Sequence, residues 1–461
     1  MTAKIVRSSK YRHVFGTGSK RESCYEGASV SLDSNDWHLV KANPLFLSVH
    51  WDSAGGGAFL VQPLEKTGRL PTAVPLYTGH TGPVLDTDWS PFNDHVVASA
   101  GDDGRILVWN VPEGGPTETT SEYAGELKGH ERRIVDLTWH PAAEAVLSSA
   151  SHDMTVRLWD VTKGVAHQTL TGHTDAVLDQ SWALVGDKLA TTSRDKTVRI
   201  FDPRSGTAAV AERKQAHTGV KGIRVQWLGE TNQLLTTGFG RSSEREVALW
   251  DSRNLETPLT MISVDSASGP LLPFFDPDCG LVYLAGRGDG NIRYYELLSE
   301  APYLFPLSEY KSVDPQRGLA LLPKRVVSVN DNEIARFIKV YGSQPILEPL
   351  SFKVPRRDSA TNFAHDIYPD ALSGEPALSA SEFFAGKTSC PRRASMEVSF
   401  VAPRREMSIS STVLKEEKEE PTTEEALREA WRSLSKENGQ LKSDLAQKSI
   451  RIRQLEAMLP K

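Results

Sequence analysis

The sequence has few of the features that mark secreted, membrane or zinc-binding proteins. Its three cysteines, Cys24, Cys279 and Cys390, lie far apart and form no CxxC pair, which argues against a disulfide framework and a structural zinc site. No apolar run reaches the roughly 18 residues of a transmembrane helix, and none follows the first residue. We therefore expect a cytoplasmic protein with no transmembrane segment.

Charge and residue clustering argue against two further classes. The formal net charge is −6, which is not the basic footprint of a nucleic-acid-binding protein. The sequence shows no metal-ligand cluster, nucleotide-binding loop or lone catalytic set, so we expect neither a cofactor nor an enzyme. The run Gly55-Gly56-Gly57 could cradle phosphate only if a helix followed it, and a β pattern follows instead.

What the chain does contain is one pattern written three times between residues 77 and 202. Each copy opens with Gly-His and closes with an aromatic residue followed by Asp or Asn. A hydroxyl residue lies four positions before an Asp, and the Asp six before the aromatic. This period and signature predict WD repeats, each a four-stranded propeller blade. The recurring residues are His80, Ser99, Asp103 and Trp109, then His130, Ser149, Asp153 and Trp159, then His173, Thr191, Asp195 and Phe201.

The recurring His, hydroxyl and Asp residues allow two interpretations. A hydrolase triad is one, but an enzyme needs a single such set. We interpret each set as a buried hydrogen-bond relay, in which Asp orients His and His reaches the hydroxyl and the Trp N–H. Phe201 has no N–H, so the third relay should end at Thr191.

Looser copies on either side bring the predicted number of blades to seven. A degenerate first blade is expected over residues 25–66, with the Gly55–Gly57 run as its hairpin turn. Residues 4–16 are expected to close the ring as a strand, to form a basic contact strip, or both. The remaining blades are marked by His217, Glu244, Trp250 and Asp251, by Asp289 and Tyr295, and by Asp331 and Phe337.

The sequence changes character after the repeats, and we predict four domains. Residues 1–350 form the propeller, and residues 351–390, rich in large apolar side chains, form an extension packed on it. Residues 391–423 form a disordered linker, and residues 424–461 a coiled-coil helix. Ser395 follows Arg392-Arg393, and Ser359 follows Arg356-Arg357, so both serines are predicted phosphorylation sites, with an unmodified segment as the alternative.

The last segment has the heptad spacing of a coiled coil rather than of a helix packed on the propeller. Opposite charges at Glu437 and Lys442, and at Arg451 and Glu456, favour a parallel arrangement. Arg451, Ile452, Leu455 and Glu456 fit an Arg-apolar-x-x-apolar-Glu pattern, so a parallel trimer is preferred to a dimer. The seam positions are Leu427, Leu434, Leu441, Lys448 and Leu455, and Trp431, Asn438, Leu445, Ile452 and Leu459.

Several segments outside the repeat pattern resemble the coronin family, with similarity over nearly all of residues 4–385. The resemblance implies a seven-bladed propeller, an extension beneath it, a variable linker and a coiled coil. It also implies binding to actin filaments and regulation of the actin-nucleating complex, hence a place in the cytoplasmic actin cytoskeleton at the cell cortex. The segments are Val6–Gly16, Gly55–Val61, Asp314–Leu319, Leu322–Arg325, Glu333–Phe337 and Asp366–Asp370.

The resemblance also points to contact residues. Coronins often carry a basic residue tied to filament binding where this chain has Ser29, and Lys20 and Arg21 are the nearest substitutes. The charged insert at residues 241–246 is either a contact or a solvated loop. The predicted actin contacts are Arg7, Lys10, Arg12, Lys20, Arg21, Arg241 and Arg245. The alternative function is that of a WD-repeat scaffold or adaptor in another cytosolic complex.

Overall fold

The computed structural model describes residues 9–32, 38–55, 57–356, 362–400 and 424–456. The chain forms two compact units, Met1–Pro403 and Arg404–Lys461. The first unit is a ring of β-sheets, and the second contains a long helix.

Six four-stranded sheets and one larger sheet form the seven blades of a propeller, which confirms the predicted fold class. Each blade is an antiparallel meander whose first strand lies innermost, next to the first strands of its neighbours. Blades 1 to 3 contain Val40–Ala42, Phe46–His50, Ala58–Pro63 and Leu76–Thr78; Val84–Trp89, Val96–Gly101, Arg105–Asn110 and Gly125–Lys128; and Ile134–Trp139, Val146–Ser151, Val156–Asp160 and Val165–Leu170.

The first blade runs over residues 40–78 rather than the predicted 25–66, because Tyr25–Glu26 pairs with the seventh blade.

Blades 4 to 6 follow the same order as blades 1 to 3. Their strands are Val177–Trp182, Leu189–Ser193, Val198–Phe201 and Ala211–Arg213; Arg224–Trp227, Gln233–Phe239, Arg245–Asp251 and Thr260–Asp265; and Leu271–Asp276, Leu281–Gly286, Asn291–Leu297 and Leu304–Lys311.

The seventh blade joins the two ends of the propeller. Its inner strands are Gln316–Leu321, Glu333–Tyr341 and Ile346–Lys353. Phe15–Gly18 and Tyr25–Glu26 both pair antiparallel with Ile346–Lys353, so the N-terminal segment supplies the outer strand. The short strand Gly68–Arg69 pairs with Tyr25–Glu26. The closing strand therefore begins at Phe15, later than the sequence predicted, while Tyr11 and Val14 before it are buried in the core.

The hydrophobic core consists of clusters between neighbouring blades. The second and third strands are apolar on both faces because another blade covers each face. Trp159 of blade 3, for example, packs with Ala98 and Leu127 of blade 2, and it is 1% exposed. The large indole rings of Trp109, Trp159 and Trp250 fill wedges between neighbouring blades.

Side-chain carboxylates link the innermost strands of neighbouring blades around the axis through hydrogen bonds. Asp86 Oδ2 accepts a hydrogen bond from the Leu137 N–H of the next blade at 2.8 Å. Asp179 Oδ2 accepts one from the Val225 N–H at 2.7 Å. Because each inner strand is the first of its sheet and pairs on one side only, these backbone donors face the preceding blade, and the carboxylates satisfy groups that would otherwise be buried without a partner.

Residues 362–400 form a strap across one face of the propeller. The strap contacts the loops that join the first and second strands of the blades. In blade 3, the Ala142 carbonyl accepts a hydrogen bond from the Ala377 N–H of the strap. The strap residue Ile367 is buried in the core cluster that contains blade 6. It contains the helix Ala380–Phe384, capped by Ser379, and its two arms pair through Ala371–Leu372 and Arg393–Ala394. We call the face under the strap the underside and the opposite face the upper face.

The packed strap extends beyond the predicted boundary at residue 390. Met396 is 5% exposed, and the 3-10 turn Met396–Ser399 packs within the core cluster of blades 6 and 7. Phe400 lies 6.0 Å from Phe363, ring centre to ring centre. Residues 391–400 therefore belong to the strap and not to a linker, because their apolar side chains find a surface on the underside. The other 3-10 turns are Arg21–Ser23, Lys324–Val326 and Val329–Asp331.

The second unit contains the helix Glu424–Glu456. Trp431, Leu434, Leu441 and Leu445 are between 57% and 70% exposed, and Asn438 is exposed with them. These residues form an apolar stripe with the predicted heptad spacing. Lys448, also on the predicted seam, is exposed as well. The side chains of Leu427, Arg451, Ile452, Leu455 and Glu456, and the whole of Leu459, lie outside the described part of the chain.

Candidate functional site

Blades 2 and 3 each contain a complete hydrogen-bond relay on the upper face. His80 Nδ1 lies 3.0 Å from Asp103 Oδ1, and His80 Nε2 lies 2.8 Å from Ser99 Oγ, which accepts from the Trp109 indole at 2.8 Å. Because the Asp103 carboxylate can only accept, the imidazole proton is assigned to Nδ1, and Nε2 then accepts from the Ser99 hydroxyl, which in turn accepts from Trp109.

The blade 3 relay repeats this geometry. His130 contacts Asp153 at 2.7 Å and Ser149 at 2.7 Å, and Trp159 donates to Ser149 at 2.8 Å. Hydrogen bonds from the His side chain and from backbone N–H groups lower the pKa of Asp153 despite its burial. Neither histidine is aimed at a cleft; both hold loops to strands, which is a structural role.

Blade 4 departs from the predicted relay. His173 Nε2 contacts Thr191 Oγ1 at 2.9 Å, but Asp195 forms an ion pair with Arg199 at 2.9 Å and accepts from the Thr197 N–H at 2.9 Å. The prediction that Asp195 orients His173 is therefore wrong. The physical reason is that the guanidinium, 4% exposed, needs a carboxylate more than the imidazole does.

Blade 5 also contains a relay, but its acidic residue is not the one that the sequence pattern singled out. His217 contacts Thr236 at 2.9 Å and Glu246 Oε2 at 3.1 Å, while Trp250 donates to Thr236 at 2.8 Å. The orienting residue is Glu246 rather than Glu244. A Glu lies four positions before the Trp, where the strand has begun, and its longer side chain reaches back to the imidazole.

Arg245 is not available as a contact residue, contrary to prediction. It is 1% exposed and pairs with Asp265 and Asp289 at 2.6 and 2.7 Å. Residues 240–244 form the turn of the insert, so Arg245 is the first residue of the following strand and its side chain is buried in the blade. Arg241 stays exposed on the turn of the upper face.

The remaining predicted contacts lie on one edge of the ring, apart from Arg7, which lies outside the described residues. The outer strand of blade 7 is interrupted between Gly18 and Tyr25, and the 3-10 turn Arg21–Ser23 bulges from this gap. Lys20 and Arg21 are exposed on the bulge. We call the exposed cations Lys10, Arg12, Lys20 and Arg21 the closing edge.

Local contacts hold the closing edge in place. Arg21 pairs with Glu26 at 2.5 Å while keeping 78% of its side chain exposed, and Lys10 donates to the Asp366 carbonyl of the strap. Ser29, where the resemblance places a basic residue, is exposed on the next loop and its carbonyl accepts from the Asp52 N–H at 2.9 Å. The edge thus presents positive charge without a cleft, as expected of a protein-binding surface rather than a catalytic site.

The predicted phosphorylation site Ser395 lies on the return arm of the strap. Its side chain is exposed, and its Oγ accepts from the Glu397 N–H at 3.3 Å. Two residues earlier, Arg393 pairs with Asp278 at 2.7 Å and with Glu230 at 3.0 Å, on the underside loops of blades 6 and 5. Ser359 lies outside the described residues.

The propeller axis contains buried charges that sequence reasoning missed. Lys41 contacts Asp88 at 3.5 Å, with Asp86 and Asp136 nearby. Burial opposes the charge on Lys41, but these carboxylates outweigh it and raise its pKa. Burial, and then Asp179, raise the pKa of Asp136 to about 8. The sequence signal is an Asp at the third position of the inner strands of blades 2 to 4, namely Asp86, Asp136 and Asp179.

Metal-binding clusters and membrane-spanning helices are both absent from the described ranges. Over this part of the chain, His, Cys, Asp and Glu form no group of three or more that could hold a metal ion. Among the described helices, none is long and apolar enough to cross a membrane.

The seven-bladed ring of antiparallel meanders, with complete Gly-His relays in blades 2 and 3, defines the molecule as a WD-repeat β-propeller. Residues 72–110, 121–160 and 164–202 match the WD domain, G-beta repeat, and residues 347–391 match a type of WD40 repeat. Residues 4–69 match a domain of unknown function, DUF1899.

The chain belongs to the coronin family. It is 46% identical to Coronin-A of Dictyostelium discoideum over 98% of this chain and 99% of that protein. It is also 46% identical to Coronin-like protein crn1 of Schizosaccharomyces pombe, over 90% of this chain and 68% of that one.

Solved structures show the same relationship. The WD40 domain of Toxoplasma gondii coronin superimposes with a TM-score of 0.78 at 32% identity, covering 83% of this chain and 97% of that one. A chain of the mitotic checkpoint complex, at 16% identity and a TM-score of 0.57, shares the fold alone.

Proposed function

We propose that this protein binds actin filaments through the closing edge of the propeller and crosslinks or decorates them as a self-associated assembly. The observation that carries the proposal is the exposed bulge in the outer strand of blade 7, where Lys20 and Arg21 stand next to the Ser29 loop. Many coronins carry a basic residue tied to filament binding at the position of Ser29, and here the bulge offers positive charge from the preceding turn.

The rest of the molecule supports this choice of surface. The strap covers much of the underside, with its own Tyr368 and Phe383 buried against the propeller, so a large partner has better access to the edge and the upper face. Positive side chains on a rim raise association rates and fix the register of a charged partner, while contributing modestly to affinity. A single propeller is therefore expected to bind a filament weakly.

Self-association would compensate for weak single contacts. The helix Glu424–Glu456 exposes Trp431, Leu434, Leu441 and Leu445, a stripe that a second copy of the helix would bury. We propose a parallel coiled coil, a trimer in preference to a dimer. Linking several propellers raises apparent affinity by a factor on the order of 10²–10⁴ when the linker lets them bind together.

Regulation of the actin-nucleating complex and a cortical location in the cytoplasm complete the proposal, and both rest on coronin family membership. A polymerisation assay with purified nucleating complex, with and without the protein, tests the first. A change in the lag phase is the expected result, and an unchanged lag at saturating protein would refute it.

The filament site is tested by high-speed pelleting of the full chain with actin filaments. Lys20→Glu combined with Arg21→Glu should weaken binding about tenfold or more, because two rim charges are reversed. The matched control is Lys128→Glu with Lys214→Glu, since these cations are 67% and 74% exposed on blades 2 and 4. Equal affinities for the two double variants would exclude the closing edge.

Failure of the unmodified chain to pellet with filaments would refute the function itself. That result would favour the alternative of a WD-repeat adaptor in another cytosolic complex. The melting temperatures of all variants should match, because these side chains lie in solvent and surface substitutions change stability little.

A further inference from the structure

A funnel opens on the upper face over blades 4 to 7, far along the chain from the closing-edge residues. Its volume is about 770 Å³. The walls come from the connections between blades, Val220–Gly222, Ser268–Pro270 and Pro315–Arg317, and from the turns at Arg287 and Gly342. The funnel therefore lies at the opposite end of the propeller axis from the strap.

Five cations line the funnel, and its described lining contains no carboxylate. Arg224 forms the floor and is 8% exposed, whereas Arg194 and Lys221 stand exposed at the mouth. Arg287 and Arg317 are half-buried in the wall. A protein of net charge −6 has thus gathered like charges in one concave site. The set is Arg194, Lys221, Arg224, Arg287 and Arg317.

Neutral groups hold several of these cations in position. Arg317 donates to the Ser31 carbonyl at 2.7 Å, and Arg224 donates to the Leu178 carbonyl at 2.8 Å. Lys221 donates to the Ser268 carbonyl and lies 4.5 Å from the centre of the Phe239 ring. Carbonyls and an aromatic face orient a cation without cancelling its charge.

Burial and neighbouring charges act on two of the funnel cations, Arg317 and Arg224. Burial and then the neighbouring Arg287 lower the pKa of Arg317, although Asp52 acts in the opposite sense. Asp179 lies beneath Arg224 in the channel and offsets part of its charge. A low-dielectric cavity with an excess of cations attracts anions of matching size.

Glycines let the loops of the funnel wall approach one another closely. Gly222, Gly269, Gly288 and Gly342 all line the funnel. A Cβ on Gly269 would lie 1.8 Å from the Arg287 carbonyl oxygen, so this position must be glycine for the two loops to meet. Gly288 has φ of +84°, which a side chain would disfavour.

We propose that this funnel binds a small anion that carries several phosphates. Arg side chains bind phosphate through two parallel N–H bonds, and four Arg around one cavity match phosphates spaced around a compact ring. An extended acidic peptide would instead spread its charges along a groove. The phosphates could belong to a soluble inositol polyphosphate or to the headgroup of a phosphoinositide.

Isothermal titration of the full chain with myo-inositol hexakisphosphate at physiological salt tests the site. Lys221→Gln and Arg317→Gln should each weaken binding about tenfold, because a hydrogen bond to a charged group contributes at least that factor. Arg194→Gln, at the exposed mouth, is a further variant that leaves the packing intact. The control is Arg253→Gln, which removes an exposed cation from an underside loop.

The outcomes divide clearly once melting temperatures show that the variants are folded. Saturable binding by the unmodified chain that falls in the funnel variants, but not in Arg253→Gln, supports the proposal. No binding, or equal affinities in all variants, overturns it. Pelleting with phosphatidylcholine vesicles, with or without phosphatidylinositol bisphosphate, then separates the sources. Vesicle binding lost in the same variants assigns the headgroup, and its absence assigns a soluble ligand.

Discussion

Removing the charge of Asp195 should destabilise the propeller at least as much as removing that of Asp153. From the sequence alone the opposite order is expected, because Phe201 has no N–H and the blade 4 relay therefore ends at Thr191, one hydrogen bond shorter than that of blade 3. The structure reverses it through Arg199, whose guanidinium is 4% exposed and pairs with Asp195 at 2.9 Å. The other acid within reach is Glu212, at 3.7 Å and 44% exposed.

The magnitudes follow from what each substitution leaves unpaired. Asp153→Asn keeps the shape and weakens charge-assisted bonds to His130 and backbone N–H groups, at a cost of about 1–3 kcal/mol. Asp195→Asn leaves a buried guanidinium with one distant partner. Breaking a buried pair costs about 3–5 kcal/mol, and the remaining Glu212 and amide oxygen should reduce this to about 2–4 kcal/mol.

The assay is thermal unfolding at pH 7, with Asp251→Asn as the control because its partner Arg253 is exposed. Expected melting temperatures fall in the order control, Asp153→Asn, Asp195→Asn. A melting temperature for Asp195→Asn within a degree of the unmodified chain, beside a clear loss in Asp153→Asn, would refute the assigned role of Arg199.

The pH dependence gives an independent check on Asp153. Its pKa is lower in the folded state than in the unfolded chain, so its stabilisation is complete above the unfolded value near 4. That stabilisation disappears as the pH falls through the folded value. The gap in melting temperature between the unmodified chain and Asp153→Asn should therefore persist at pH 5 and close toward pH 2.

Three further predictions concern the axis, the strap and the helix. Asp136 has a pKa raised to about 8, so in the folded protein it keeps a proton that the unfolded chain loses above about pH 4, and this difference lowers stability as the pH rises. Asp136→Asn should therefore raise the melting temperature more at pH 8 than at pH 5. Equal effects at the two pH values would contradict this. Phosphate on Ser395 adds about −1.5 to −2 charges beside Arg393 and should compete with Asp278 and Glu230. Hydrogen exchange over residues 391–400 should then increase in stoichiometrically phosphorylated protein, and Arg393→Ala should act likewise; unchanged protection in both would contradict the competition. Leu441→Pro costs about 3 kcal/mol or more per helix and should give monomers by light scattering that no longer bundle filaments in low-speed pelleting. Bundling by such monomers at the original level would instead require a second filament site on the propeller.

Local repetition explains how much of the fold could be read from the chain. Each blade is built from contacts close in sequence, so Ser149, Asp153 and Trp159 keep the spacing of their counterparts in blades 2 and 4. The number of blades, the helical heptads and the ring closure follow from such local patterns. Specific non-repeat segments, such as Asp366–Asp370, identified the family on the same basis.

The candidate site depended on contacts that no spacing reveals. In the sequence, Arg245 lies in a charged insert with the composition of a solvated loop. In the structure, strand pairing places its side chain between Asp265 and Asp289. Asp195 matched its counterparts in its spacing to the hydroxyl and to the aromatic residue, yet a neighbouring guanidinium determined its partner. In both places burial made an ion pair obligatory, and burial depends on which strands lie side by side.

By itself, the sequence determined the repeat, the blade count and the family, because these depend on short-range periodicity and on distinctive local segments. Only the tertiary structure decided that residues 391–400 pack beneath the propeller, that five cations from blades 4 to 7 meet in one funnel, and that Lys20 and Arg21 bulge from the closing edge. These features join residues up to hundreds of positions apart. Their energies come from burial and from charge at close range, which exist only once the ring has closed.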